Sequence, residues 1–195
     1  LSRIYKLLEK ISSLGVPLLI HGEATDPKID VFDREAFFVE KTLAPLTKKI
    51  PGLRIVLEHI TTKESVDYVL NSDSNLAATI TPHHLVINRN SMFDGGIRPH
   101  HYCLPLAKRE SHRLAILNAA TSGNPKFFLG TDSAPHLDHF KENACGCAGI
   151  FSAPNALSCL AQIFENEAAL NKLEGFISVN GAKFYGLSTN KSYTK

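Results

Sequence analysis

Three short apolar runs in this sequence each end in a side chain that can bind a metal ion. Pro17-Leu18-Leu19-Ile20 leads to His21, Ile55-Val56-Leu57-Glu58 to His59, and Phe127-Phe128-Leu129-Gly130-Thr131 to Asp132. Neutral imidazole and carboxylate are good ligands for zinc and related ions, and a catalytic ion keeps one position open for water. Water on such an ion falls from a pKa near 15.7 to about 7, which supplies hydroxide at neutral pH. A carboxylate beside that water can take its proton and hand it to a leaving nitrogen. His21 and His59 suit ligation, and Asp132 suits ligation together with proton transfer. Two histidines and one acid do not hold a pair of ions, so a two-metal site needs ligands from elsewhere.

Other candidates carry weaker signals. His83, His84, His100, His101, His112 and His139 fall in expected loops or on a helix and read as solvent-exposed or hydrogen-bonded. Glu23 could support a ligand from the outer coordination sphere. Alternation along a strand points Glu58 away from His59, toward an ion pair on the helix side. Cys145-Gly146-Cys147 resembles half a zinc knuckle, but its single spacer is tighter than the usual two to four. A glycine-rich loop whose backbone faces a ligand is the better expectation there.

The elements that would position these groups alternate. Strands are expected at about 17–21, 54–59, 76–81 and 126–130. Helices are expected near 33–49 (bent or broken at Pro45), 62–71, 108–122, 153–168 and 170–184. Thr61 or Thr62 could cap the second of these. Apolar residues at 1, 4, 7, 8 and 11 predict an opening helix with Gly15 as its C-cap. Long irregular stretches are expected at about 83–107 and 131–152, and 188–195 reads as loop or tail. Four β-α units imply an α/β fold with parallel strands and right-handed crossovers. Side chains at the carboxyl ends of such strands are where a (β/α)8 barrel of the TIM type builds its active site. Four strands make about half of one, and a free half-barrel would expose two strand edges and an apolar interior.

Composition sets outer bounds. A net charge of +2 over 195 residues gives no electrostatic signal for nucleic acid. No stretch approaches the ~18 apolar residues of a membrane span. Four cysteines without a framework spacing fit a reducing, cytoplasmic setting.

Longer runs resemble a known family. His21-Gly22-Glu23, Asp30-Val31-Phe32-Asp33-Arg34-Glu35, Glu58-His59-Ile60-Thr61-Thr62, Arg98-Pro99-His100-His101-Tyr102-Cys103-Leu104-Pro105, Gly130-Thr131-Asp132-Ser133-Ala134-Pro135-His136 and Cys145-Gly146-Cys147-Ala148-Gly149 are similar to the homodimeric bacterial-type (class II) dihydroorotases of the amidohydrolase superfamily. The resemblance extends to about Leu187, and the Arg-Pro-His and Cys-Gly-Cys-Ala-Gly runs are its most specific parts. It implies reversible zinc-dependent hydrolysis of the ring amide of dihydroorotate, interconverting it with N-carbamoyl-aspartate in pyrimidine biosynthesis. His21 and His59 would bind the second of two zinc ions, with His21 also near substrate. Asp132 would touch the first ion and act as general base, then general acid. His136 would bind the substrate carboxylate, and Leu104 and Ala148 would hold the ring through their backbone. The family also uses a His-x-His pair, a carboxylated lysine bridging both zinc ions, and an arginine and an asparagine for the carboxylate. None of these is placed in this sequence, so the expectation is a C-terminal part of one barrel, inactive alone, from an enzyme that forms homodimers. The competing expectations are another cyclic amidohydrolase, hydantoinase- or allantoinase-like, and a non-catalytic half-barrel that pairs with a partner.

Overall fold

Four strands form one parallel sheet, and their order in space is their order in the chain: β1 (Leu18–His21), β2 (Ile55–Glu58), β3 (Leu76–Ile80) and β4 (Phe127–Leu129). The computed structural model describes residues 4–190. The helix α1 (Tyr5–Ser13) precedes β1, and α2 (Arg34–Phe38) and α3 (Ala44–Lys49) connect β1 to β2. Helix α4 (Lys63–Asn71) connects β2 to β3, and α5 (Pro82–Val86) and α6 (Glu110–Thr121) connect β3 to β4. After β4 come α7 (Asp138–Lys141), α8 (Ala156–Asn166), α9 (Leu170–Glu174) and α10 (Asn180–Tyr185). A parallel sheet whose order never reverses is wound like a barrel, whereas a doubly wound sheet reverses at a switch point. The predicted helix onset at Leu1 and the tail beyond residue 190 lie outside the described residues.

The two faces of the sheet are packed differently. Leu18, Ile20, Ile55, Leu57, Ala78, Ile80 and Phe127 join the main core with Leu43, Leu46, Ile116, Leu160 and Phe164 from the helices. Each large aliphatic side chain fully buried there contributes about 1.5–3 kcal/mol. The register sets Leu19 level with Val56, Val56 with Ala77, and Thr79 with Phe128 on the opposite face. That inner face is less bare than expected, because Phe184 and Tyr185 pack over Val56, Ala77 and Phe128. Leu19 on β1 is left about half exposed.

Two local departures have clear causes. The helix expected at 33–49 runs through Pro45, with a π-helical turn over Val39–Leu43 just before it. Proline cannot donate to the carbonyl four residues back and collides with it, and the widened turn relieves both problems. Within the expected irregular stretch, 83–107, lies most of α5. Thr81 accepts a hydrogen bond from the His84 amide at 3.2 Å, and Pro82 takes the first helical position. Thr-Pro is therefore a cap and a helix start here, as well as a strand stop. Thr62 caps α4 in the same way, accepting from the Ser65 amide at 3.2 Å.

Candidate metal centre

His21 closes β1 and His59 follows β2, so adjacent parallel strands deliver both imidazoles to one end of the sheet. His21 Nδ1 faces His59 Nε2 at 3.1 Å. On the far side of its ring, His21 Nε2 lies 3.1 Å from a Glu23 carboxylate oxygen. That carboxylate fixes the proton on Nε2 and turns the Nδ1 lone pair toward His59, the arrangement of a metal-ligating histidine. Two nitrogens bound at 2.0–2.1 Å to a tetrahedral ion would stand about 3.3 Å apart, so the pair fits an ion between them. The hydrogen bond that His21 donates to Glu23 raises the His21 pKa against the effect of burial. Burial lowers that of His59 despite the Asp132 charge, which favours the neutral, ligand-competent imidazole.

The strand ends are shaped by unusual backbone. His59 has φ +41° and Asp132 φ +42°, both left-handed conformations that residues other than glycine adopt at a cost of order 1–3 kcal/mol. The turn at His59 explains why strand alternation misplaces Glu58. Glu58 lies on the inner face, level with His21, and its carboxylate accepts from the Thr79 hydroxyl at 2.7 Å. The expected helix-side ion pair is absent among the described residues, and burial instead raises the Glu58 pKa. Thr79 also accepts from the His59 amide at 2.6 Å. β4 can approach this hub because residue 130 is glycine, where a Cβ would stand 2.6 Å from the Thr79 Cβ. Asp132 sits beyond it, its charge felt by His21, His59 and Glu58.

Glu35 supports the His59 turn from behind, a role the sequence did not show. Its carboxylate is buried on α2 and accepts from the amides of Thr61 and Thr62, each at 2.9 Å. The Thr62 and Ser65 hydroxyls donate at 2.7 and 2.5 Å, and the Thr61 hydroxyl donates as well. Burial alone would raise the Glu35 pKa, yet the nearby Lys108 charge and these donors leave it lowered. An acid in the first turn of a helix reads from sequence as a partner of the helix dipole. Only the fold reveals its other contacts.

The loops place the remaining expected residues. His136 Nε2 contacts the Ala148 carbonyl at 3.0 Å, and Leu104 is 43% exposed next to buried Cys103. Cys145 and Cys147 lie in a turn bound by the Asn143 side chain, with 2.8 and 3.0 Å bonds from the amides of Cys145 and Gly146. Two histidines depart from expectation, since His83 and His84 are buried. Their positions on α5, packed under the loop of Cys103, account for this. His84, His83 and Cys103 bring ligand atoms within 4.8 Å of one another. Both nitrogens of His84 are nevertheless engaged, with Thr81 at 2.7 Å and the Pro105 carbonyl at 2.9 Å. Burial pushes the Cys103 thiol up to about 12, and its sulfur meets the Pro105 carbonyl at 3.4 Å. His84 and Cys103 are thus hydrogen-bonded core, while both ring nitrogens of His83 are buried without a hydrogen-bond partner among the described residues.

The amidohydrolase family model matches residues 2–193 of the chain. A curated relative named "Dihydroorotase", from Chelativorans sp., is 61% identical over 188 residues, which cover 96% of this chain and 54% of the relative. Among solved structures, the dihydroorotase of Campylobacter jejuni superposes with a TM-score of 0.87 at 40% identity, covering 98% of this chain and 53% of that one. The dihydroorotase of Saccharomyces cerevisiae, solved with 5-fluoroorotic acid, gives 0.87 at 34% identity, covering 96% and 54%. The L-hydantoinase of Arthrobacter aurescens shares the fold with a TM-score of 0.77 at 16% identity, covering 95% and 47%. The chain spans about half the length of the curated relatives it matches.

Proposed function

Because this chain belongs to the amidohydrolase family, we propose that it supplies part of the catalytic centre of a dihydroorotase, as the C-terminal part of a single barrel. The observation that carries the proposal is the facing pair of imidazole nitrogens, 3.1 Å apart, with Glu23 behind one and Asp132 nearby. His21 and His59 would hold a divalent ion, zinc by analogy with the family. Such an ion lowers the pKa of bound water and polarises the carbonyl under attack. Asp132 takes the proton of the attacking water and delivers it to the ring nitrogen as the C–N bond breaks. His136 pairs with the substrate carboxylate, and the backbones of Leu104 and Ala148 hold the ring. The substrate pair would be dihydroorotate and N-carbamoyl-aspartate. A second zinc, the bridging carboxylated lysine, the homodimer and a cytoplasmic setting follow from the same resemblance. No described helix is long and apolar enough to cross a membrane.

The test begins with cobalt(II) titration of the chain, followed by its visible spectrum. One ion bound by the parent chain and lost in His59→Ala supports ligation, whereas a silent titration defeats the metal reading. Ring opening is then assayed with dihydroorotate and hydantoin side by side, on the full protein carrying these residues. Preference for hydantoin would move the assignment to the other cyclic amidohydrolases.

A further inference from the structure

Lys141, on the short helix α7, is only 3% exposed. Its ammonium donates to three backbone carbonyls: Tyr102 at 3.0 Å, Cys147 at 2.7 Å and Gly149 at 2.7 Å. An ammonium has three donors and no acceptor, so every proton is used. No ion pair involves Lys141 among the described residues. The charge is compensated by carbonyl dipoles, and the loss of water lowers its pKa. Those carbonyls belong to two segments far apart in the chain. Tyr102 stands two residues before Leu104, while Cys147 and Gly149 flank Ala148.

The two segments also touch directly, since the Gly149 amide donates to the same Tyr102 carbonyl at 2.9 Å. Gly149 has φ +147°, and a Cβ there would stand 2.6 Å from the Ala134 Cβ, so the junction accepts no larger residue. With its neighbours' carbonyls on Lys141, the Ala148 carbonyl instead meets His136 at 3.0 Å. The segment thus has its two sides sorted by what each carbonyl meets.

We infer that Lys141 is a positioning residue that fastens the Tyr102–Leu104 segment to the Cys147–Gly149 segment, so that Leu104 and Ala148 present their backbones to one ligand. The inference deepens the function proposed above and rests on it for the ligand's identity. The comparison that matters is Lys141→Met, which removes the charge and keeps much of the chain's length. Amide hydrogen exchange at Gly149 and its neighbours should quicken roughly tenfold or more, as loss of charge-assisted hydrogen bonds implies. Dihydroorotate affinity by calorimetry should fall by a similar factor, while cobalt binding at His21 and His59 stays unchanged. A merely structural lysine would move thermal stability without this split between ligand and metal. Should Lys141→Met not fold, Lys141→Arg answers the question, because a planar guanidinium keeps the charge without the three-carbonyl geometry. Exchange and affinity both unchanged in a folded variant would overturn the inference. If the unsubstituted chain binds no dihydroorotate, the substrate reading fails, and the exchange rates alone judge the clamp.

Discussion

The two ends of the sheet use the same chemistry for different purposes. At the amino end, polar side chains close off backbone carbonyls near solvent. Lys126 caps the end of α4 through Val69 at 3.0 Å, Leu70 and Ser72, and Asn75 donates to Pro51 at 2.9 Å and Leu53 at 2.6 Å. At the carboxyl end the charges are buried: Glu35, Lys108 and Lys141 are each under 5% exposed, and His59, His83 and His84 lie with them. Burying charge is costly unless it is paired and hydrogen-bonded. An end that accepts this cost in several places is where a barrel builds its site. The contrast separates lysines that finish a helix from a lysine that joins two loops.

Breaking the carboxyl end should have the largest effect. Glu35→Gln removes the negative charge acting most strongly on buried Lys108 and sets a donor among donors. Unfolding free energy from urea titration should drop by about 3–5 kcal/mol, and cobalt affinity at the histidine pair by roughly 10–100-fold. Full retention of both would remove Glu35 from the metal centre's support.

Acid should reveal the same end more gently. Burial pushes His83 down to about 4 from 6.5. The unfolded chain therefore binds more protons than the folded chain between those values, and stability falls as pH drops through that window. The shift corresponds to up to about 3 kcal/mol. His83→Gln should flatten the stability–pH curve between pH 6.5 and 4, and an unchanged slope would contradict the burial argument. His84, also lowered by burial, continues to contribute in the variant.

The amino end supplies the smallest effect. Lys126→Met should cost about 1 kcal/mol, the net worth of an ordinary hydrogen bond, and leave cobalt binding untouched. A loss of metal affinity there would erase the distinction between the two ends.

How much of this was legible depended on range in the chain. His21, His59 and Asp132 stood out because each stands at or within three residues of the end of a short apolar run, and local pattern is enough to mark a strand end. Glu58 was misplaced because alternation assumes extended backbone, and the turn at His59 ends it. His83 and His84 carry a loop pattern in sequence because a Thr-Pro pair that ends a strand has the same local signature as one that starts a short helix. Glu35 and Lys141 gave no signal, since an acid or a lysine on a helix is ordinary in sequence.

The sequence by itself determined the α/β alternation, the four strands and which side chains reach their carboxyl ends. These follow from short-range periodicity and from the turn chemistry of glycine, proline and threonine. Only the tertiary structure decided that Glu35 holds Thr61 and Thr62, that Thr79 bridges Glu58 and His59, and that Lys141 joins Tyr102 to Gly149. The Glu35, Thr79 and Tyr102 contacts among these link residues 20 or more positions apart. Their partners are chosen by which backbone groups the packed helices leave without water, and no local pattern encodes that choice.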